Sequence, residues 1–272
     1  MKIGIFDSGY GGLTIYKSIR ETLPQYDFVY LGDNARTPYG NRSFDAILRF
    51  TTEGVRYLFS QDCKLIIIAC NTASAKALRT IQQKVLPLEF PDRRVLGVIR
   101  PSVEELGRDT HTKTVALWGT EGTVRSMSFA IEIEKYAPGV RLIQISCPML
   151  VPLVEAGELE GPGADHFIGT YWNRTAKESD QIDVLLLACT HYPLLLPRIR
   201  SIVPQQVRVL VQGDFVAPSL ADYLQRHPEI QSQLSRSATQ HFLTTDQTEG
   251  FDHLAEIFLG HAVASEKVGI SR

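Results

Sequence analysis

The chain has 272 residues, 44% of them hydrophobic and 21% charged, with a formal net charge of −2. That balance belongs to globular proteins and excludes disordered and fibrous classes. The small net charge offers no footprint for nucleic acid or an anionic membrane, and no apolar run is long enough to span a bilayer.

The length suits one large or two ordinary domains. The four cysteines, Cys63, Cys70, Cys147 and Cys189, form no Cys-x-x-Cys pair, and no histidine stands at zinc-ligand spacing from them. No metal is expected. Free thiols, and a start that runs straight into a strand without the apolar stretch of a signal peptide, fit a cytoplasmic protein.

Residues 3–6 read as a strand and 13–22 as a helix, joined by Asp7-Ser8-Gly9-Tyr10-Gly11-Gly12. Such a turn lets backbone N–H groups approach an anion, but its spacing is neither that of a dinucleotide loop nor that of a phosphate loop. Asp7-Ser8 reads first as a helix N-cap. The alternative is an acid at the sheet mouth that tunes a thiol or grips an ammonium group. A second strand at 28–31 ends in Gly32-Asp33. The polar loop at 34–40, with Pro38, Tyr39 and Gly40, has the composition of a binding loop. A helix is expected over 43–60.

The run Leu65-Ile66-Ile67-Ile68 is apolar throughout, as in a strand buried on both faces, and stops at Ala69-Cys70-Asn71-Thr72. A helix is expected over 73–85. Its macrodipole would favour a Cys70 thiolate. A strand at 95–99 is cut by Pro101, and the first domain boundary is placed there.

The second α/β pattern begins with a strand at 114–118, followed by Gly119-Thr120, with Thr123 and Ser126 opening a helix to about 136. These hydroxyls read as caps, then as oxyanion contacts. A strand at 141–145 precedes an apolar turn that ends at Glu155, and a helix covers 163–177. Val184-Leu185-Leu186-Leu187 then repeats the earlier pattern and stops at Ala188-Cys189-Thr190-His191. In extended structure His191 would share a face with Cys189, where an imidazole can exchange a proton with the thiol. Ligands bind beyond the carboxyl ends of strands in open α/β sheets, so both thiols stand where chemistry is expected. A short helix at 197–202 follows. The strand at 207–211 is read as returning to the first domain, ahead of a helix at 216–226. Then come a polar linker at 228–237, a strand at 240–245 and a helix at 250–261, with fraying beyond 263.

Taken in order, Asp7-Ser8-Gly9-x-Gly11-Gly12, Gly32-Asp33, Pro38-Tyr39-Gly40, Cys70-Asn71-Thr72-Ala73-Ser74, Gly119-Thr120-x-x-Thr123-x-x-Ser126, Val151-Pro152-Leu153-Val154-Glu155 and Cys189-Thr190-His191-Tyr192-Pro193 resemble the glutamate racemase branch of the aspartate/glutamate racemase superfamily. The resemblance implies an α/β fold of two domains with mainly parallel sheets flanked by helices, and an active site in the interdomain cleft. Residues 1–97 and 212–272 would form the first domain and 98–211 the second. It implies racemisation of glutamate without a cofactor, supplying D-glutamate for peptidoglycan, by a protein that is often a homodimer. Cys70 and Cys189 would be the acid/base pair, with Cys70 acting on D-glutamate and Cys189 on L-glutamate. Asp7 would assist the first, and His191 and Glu155 the second. Asp7, Ser8, Pro38, Tyr39, Gly40, Asn71, Thr72, Thr120, Thr123, Thr190 and His191 would surround the substrate.

One departure stands out: many relatives carry an Asp-Ser-Gly/Ala turn after the returning strand, where this chain has Gln212-Gly213-Asp214. Three other readings are an aspartate or other amino-acid racemase, a single-cysteine hydrolase, and a non-catalytic amino-acid-binding regulator. Thr190-His191 after Cys189 favours glutamate over aspartate. A single-cysteine hydrolase would leave the second motif without a role.

Overall fold

The computed structural model describes residues 1–270. Strand β1 (Lys2–Asp7) leads into α1 (Leu13–Thr22), and β2 (Phe28–Gly32) into α2 (Phe44–Ser60). After β3 (Cys63–Ile68) comes the short α3 (Asn71–Lys76), and after β4 (Arg94–Gly97) comes α4 (Ile99–Asp109). Strand β5 (Thr114–Gly119) precedes α5 (Glu121–Arg125) and α6 (Ser128–Tyr136). Strand β6 (Arg141–Ser146) precedes α7 (Leu150–Glu155) and α8 (Pro162–Glu178). The chain continues through β7 (Val184–Ala188), α9 (Leu196–Ile202), β8 (Arg208–Val211) and α10 (Gly213–Arg226). It closes with β9 (Gln240–Thr244), α11 (Thr248–Leu259) and β10 (Ser265–Lys267).

These strands form two sheets, in the orders β10-β9-β2-β1-β3-β4 and β6-β5-β7-β8. Every pairing is parallel. The architecture is therefore α/β with two parallel sheets flanked by helices. The runs at β3 and β7 lack alternation because both faces of each strand are buried. In each sheet the strand order reverses beside one strand pair, β1/β3 in the first and β5/β7 in the second. Parallel sheets open a crevice at such a reversal. The register sets what emerges there. Phe6 pairs with Ile68, so Asp7 and Cys70 leave adjacent strand ends. Gly119 pairs with Ala188, so the next residues, Thr120 and Cys189, also emerge side by side.

Several elements differ from the sequence expectation. The strand expected over 95–99 ends at Gly97, and residues 99–109, for which no element was expected, form a helix, α4. Pro101 lies in its first turn, where the missing N–H has no intrahelical partner to lose. Val98, Ile99, Val103 and Leu106 of this segment join the apolar cluster that runs from the first sheet to the second. The helix after Cys70 begins at Asn71 and breaks at Ala77, continuing as short helical pieces with a π turn at Ile81–Val85. The helix expected over 123–136 breaks at Met127, whose φ is +56°. Residues 150–155 are helix α7 rather than a turn.

The strand at 208–211 is the edge of the second sheet, paired with β7, and the return to the first sheet is made by α10, which packs along α1. The linker carries a helical turn at Pro228–Gln231, and buries Ile230 and Leu234. The tail does not fray at 263. Ser265–Lys267 pair with β9 as a further strand, and Val268 and Ile270 are buried.

This last feature is testable. Deleting residues 263–272 would unpair the outer edge of β9 and uncover the apolar surface beneath Val268 and Ile270. Burial of two aliphatic side chains is worth about 3 kcal/mol. Urea denaturation of the shortened chain is expected to show a loss of that order, whereas a frayed tail would leave the midpoint unchanged.

Candidate active site

The carboxyl ends of the two sheets meet at one cavity of about 30 Å³. From the first sheet, Ser8, Cys70, Asn71 and Thr72 line it, and the loop after β2 contributes Pro38, Tyr39 and Gly40. From the second, Thr120, Cys189, Thr190 and His191 face the same space. The two strand-end thiols therefore share a cavity. Asp7, Thr123 and Glu155 stand behind this lining. Thr37 and Val151 also line the cavity, although neither was singled out from sequence. Thr37 lies in the loop already read as a binding loop, and Val151 opens the motif that ends at Glu155. Their positions carried a signal that their residue types did not.

The approach of the two halves depends on the glycine turn. A Cβ at Gly11 would lie 2.4 Å from both His191 Nδ1 and Thr190 Oγ1, so a side chain there would push the turns apart. The Thr14 hydroxyl donates to the Thr190 carbonyl at 2.9 Å across the same junction. On the other side, the hydroxyls of Thr72 and Thr120 are 2.8 Å apart, and Thr123 lies 3.3 Å from Thr72 and 3.1 Å from Thr120. Thr120 is also the N-cap of α5, accepting from the Thr123 N–H. Tyr39 is buried, and its hydroxyl donates to Asp33, so this residue offers the cavity its ring and main chain.

Asp7 is not a helix cap. It ends β1, and the N-cap of α1 is Gly12. Its Oδ1 accepts the Gly9 N–H at 2.9 Å, the Gly12 backbone N–H also favours its charged form, and Oδ2 is buried with no partner within hydrogen-bonding geometry among the described residues. Burial pushes this carboxyl up to about 6, against the pull of the His191 charge.

Cys70 is itself the N-cap of α3, its sulfur accepting the Ala73 N–H at 3.4 Å. The helix does not win here: burial, and then the nearby Asp7 charge, push the thiol up to about 12. The expected preference for thiolate is reversed, because α3 is only six residues long and the sulfur is cut off from water.

Around Cys189 the charge is opposite. Cys189 and His191 meet through a tight turn rather than along a strand, with His191 in helical backbone geometry. Sγ lies 3.9 Å from Nδ1, and Nε2 lies 3.1 Å from Glu155 Oε1. Burial opposes the imidazolium, but Cys189 and Glu155 outweigh it and raise the group to about 10. Cys63 and Cys147 are buried outside the lining. No group of three or more His, Cys, Asp and Glu gathers in metal-holding geometry among the described residues.

The imidazolium gives a pH prediction. A folded value near 10 against an ordinary 6.5 means that its pairing contributes stability in full below 6.5, and that this is lost as pH rises towards 10. In Glu155→Gln one of the two partners is gone. The imidazole titration followed by NMR is expected to move to lower pH, and the decline of stability between those limits to flatten. An unmoved titration would mean that Glu155 does not hold the charge.

Residues 3–214 match the Asp/Glu/hydantoin racemase family. The chain is 38% identical over 258 residues to a glutamate racemase of Geobacter metallireducens, covering 95% of this chain and 92% of that one. It superposes on the crystal structure of a Bacillus anthracis glutamate racemase isoform with a TM-score of 0.89, at 30% identity, over 98% of this chain and 97% of that one. For the Francisella tularensis glutamate racemase in complex with D-glutamate, the TM-score is 0.86 at 30% identity, over 99% and 97% of the two chains. With its parallel sheets meeting at a shared cavity that both thiols enter, the chain belongs to the Asp/Glu/hydantoin racemase family.

Proposed function

We propose that the protein interconverts L- and D-glutamate by proton transfer at Cα between two cysteines, without a cofactor. The observation that carries this reading is the arrival of Cys70 and Cys189, from different sheets, in one cavity. Inverting a carbon centre requires a base on one face and an acid on the other. Cys70 retains its proton far above neutrality and is suited to the acid role. A thiolate at Cys189 would have its charge offset by the imidazolium 3.9 Å away, which suits the base role. This pairing is the one needed to take the proton of L-glutamate at Cys189 and return it from Cys70. For D-glutamate the two roles exchange.

The α-proton is a very weak acid, so the carbanionic transition state must be met by donors already in place. Asn71, Thr72, Thr120 and Thr190 offer such groups, with the buried Asp7 carboxylate behind the lining. Cys70 and Cys189 are only 6% and 5% exposed, so the cleft must open for entry and close for reaction, excluding water. Glutamate is preferred to aspartate on two grounds: the Thr190-His191 sequence after Cys189, and the activity named for the relatives. The product would supply D-glutamate to peptidoglycan, which growth of a D-glutamate-requiring bacterium carrying this gene would test.

Circular dichroism of pure L- and D-glutamate, with no cofactor added, is expected to decay to zero from either side. Cys70→Ser and Cys189→Ser should each lower turnover by about 10³-fold. In D₂O, Cys70→Ser should still exchange the α-proton of L-glutamate, and Cys189→Ser that of D-glutamate. Full turnover in either single variant would overturn the two-base reading. Turnover of aspartate but not of glutamate would overturn the substrate and leave the mechanism.

A further inference from the structure

The departure at 212 lies at a buried polar group that hydrogen-bonds to a residue lining the cavity. Gln212 is the N-cap of α10, at the point where the chain crosses back from the second sheet to the first. It is 2% exposed, and its neighbours Asn71 and Ser102 are 3% and 0% exposed. Gln212 Nε2 donates to Ser102 Oγ at 2.7 Å and to Asn71 Oδ1 at 3.1 Å. Asn71 Nδ2 donates back to Gln212 Oε1. The two side-chain amides thus form a reciprocal pair, anchored on α4.

The direction of every bond in this set is determined. The Ser102 hydroxyl donates to the Val98 carbonyl at 2.6 Å, so towards Gln212 it can only accept. That turns Nε2 of Gln212 towards α4. Its second N–H then meets Asn71 Oδ1, and its Oε1 meets Asn71 Nδ2. Asn71, which lines the cavity, is left in one amide orientation with one N–H uncommitted to Gln212. Asn71 directly follows Cys70 and begins the helix that Cys70 caps. Ser102 and Gln212 belong to the two segments by which the chain passes between the sheets, so the orientation of Asn71 is tied to both crossings.

We propose that Gln212 is a positioning residue for proton transfer at Cys70: it holds the Asn71 amide in the orientation that meets substrate beside that thiol. It touches neither substrate nor sulfur and acts through Asn71. This inference rests on the racemase reading above and assigns a role to a residue outside the cavity lining.

Gln212→Glu tests it with almost no change of shape. A carboxylate can accept from Asn71 Nδ2 but cannot donate to Asn71 Oδ1 or Ser102 Oγ, so the amide loses its fixed orientation. The equilibrium constant of a racemisation is one, so kcat/KM must fall equally for the two enantiomers. The expected fall is about 10- to 100-fold, with the far-ultraviolet spectrum and cooperative unfolding retained. The diagnostic measurement is the primary isotope effect on kcat/KM. It is expected to rise for D-[2-²H]glutamate, whose deuteron Cys70 removes, and to fall for the L enantiomer. Ser102→Ala, which removes only the group that sets the direction, should show the same shift with a fall of a few fold.

Wild-type kcat/KM in Gln212→Glu, or a loss that leaves both isotope effects unchanged, would overturn the proposal while leaving the racemase reading intact. If the native protein does not racemise glutamate, that reading fails instead. The network is then judged by the Asn71 side-chain amide resonances, which must move in Gln212→Glu for the inference to survive in any form.

Discussion

The site depends on how closely two backbone turns approach. Gly11 follows β1, Thr190 and His191 follow β7, and no side chain can stand between them. This contact, with the Thr14 to Thr190 bond beside it, brings the mouths of two separate sheets together. The switch point of one sheet would make half a crevice. Two switch points facing each other make an enclosed cavity with a thiol delivered from each side. The strand register then decides the neighbours, pairing Asp7 with Cys70 and Thr120 with Cys189.

Enclosure also sets the charge. Both sulfurs are nearly dry, so small differences in their surroundings have large effects. Cys70 shares its space with a carboxylate that is itself poorly satisfied, and its proton is retained. Cys189 shares its space with an imidazolium that two acceptors hold in the charged form. Two similar strand ends thus become electrostatic opposites. Asp7 is subject to both sides: burial raises it and the His191 charge lowers it.

Much of this was legible in the chain. The apolar runs ending at Cys70 and Cys189 marked buried parallel strands, and the small polar residues beyond them marked the cavity. The pairing of Cys189 with His191 was also visible, although the geometry is a turn rather than a strand. Where local signals met tertiary packing, they misled. Pro101 suggested an end where a helix begins, because only the fold shows that this segment buries Val98, Ile99 and Val103 between the sheets. The tail after 263 carries no strong strand pattern, and it becomes a strand because β9 offers an unpaired edge. The dipole argument for Cys70 used the right position but could not include the burial that reverses it.

Gln212 belongs to the same class of hidden information. In the sequence it is a departure from a familial turn, with no indication of what it meets. Its meaning comes from Asn71 and Ser102, which lie 141 and 110 positions away along the chain. A glutamine can both donate and accept, and here each capacity is used, once towards α4 and twice across the amide pair. An acidic residue at this position would satisfy the Asn71 N–H and leave the Asn71 carbonyl facing a second acceptor. The change at 212 is therefore coupled to the direction in which Asn71 presents its polar atoms, and so to the donors a substrate meets beside Cys70.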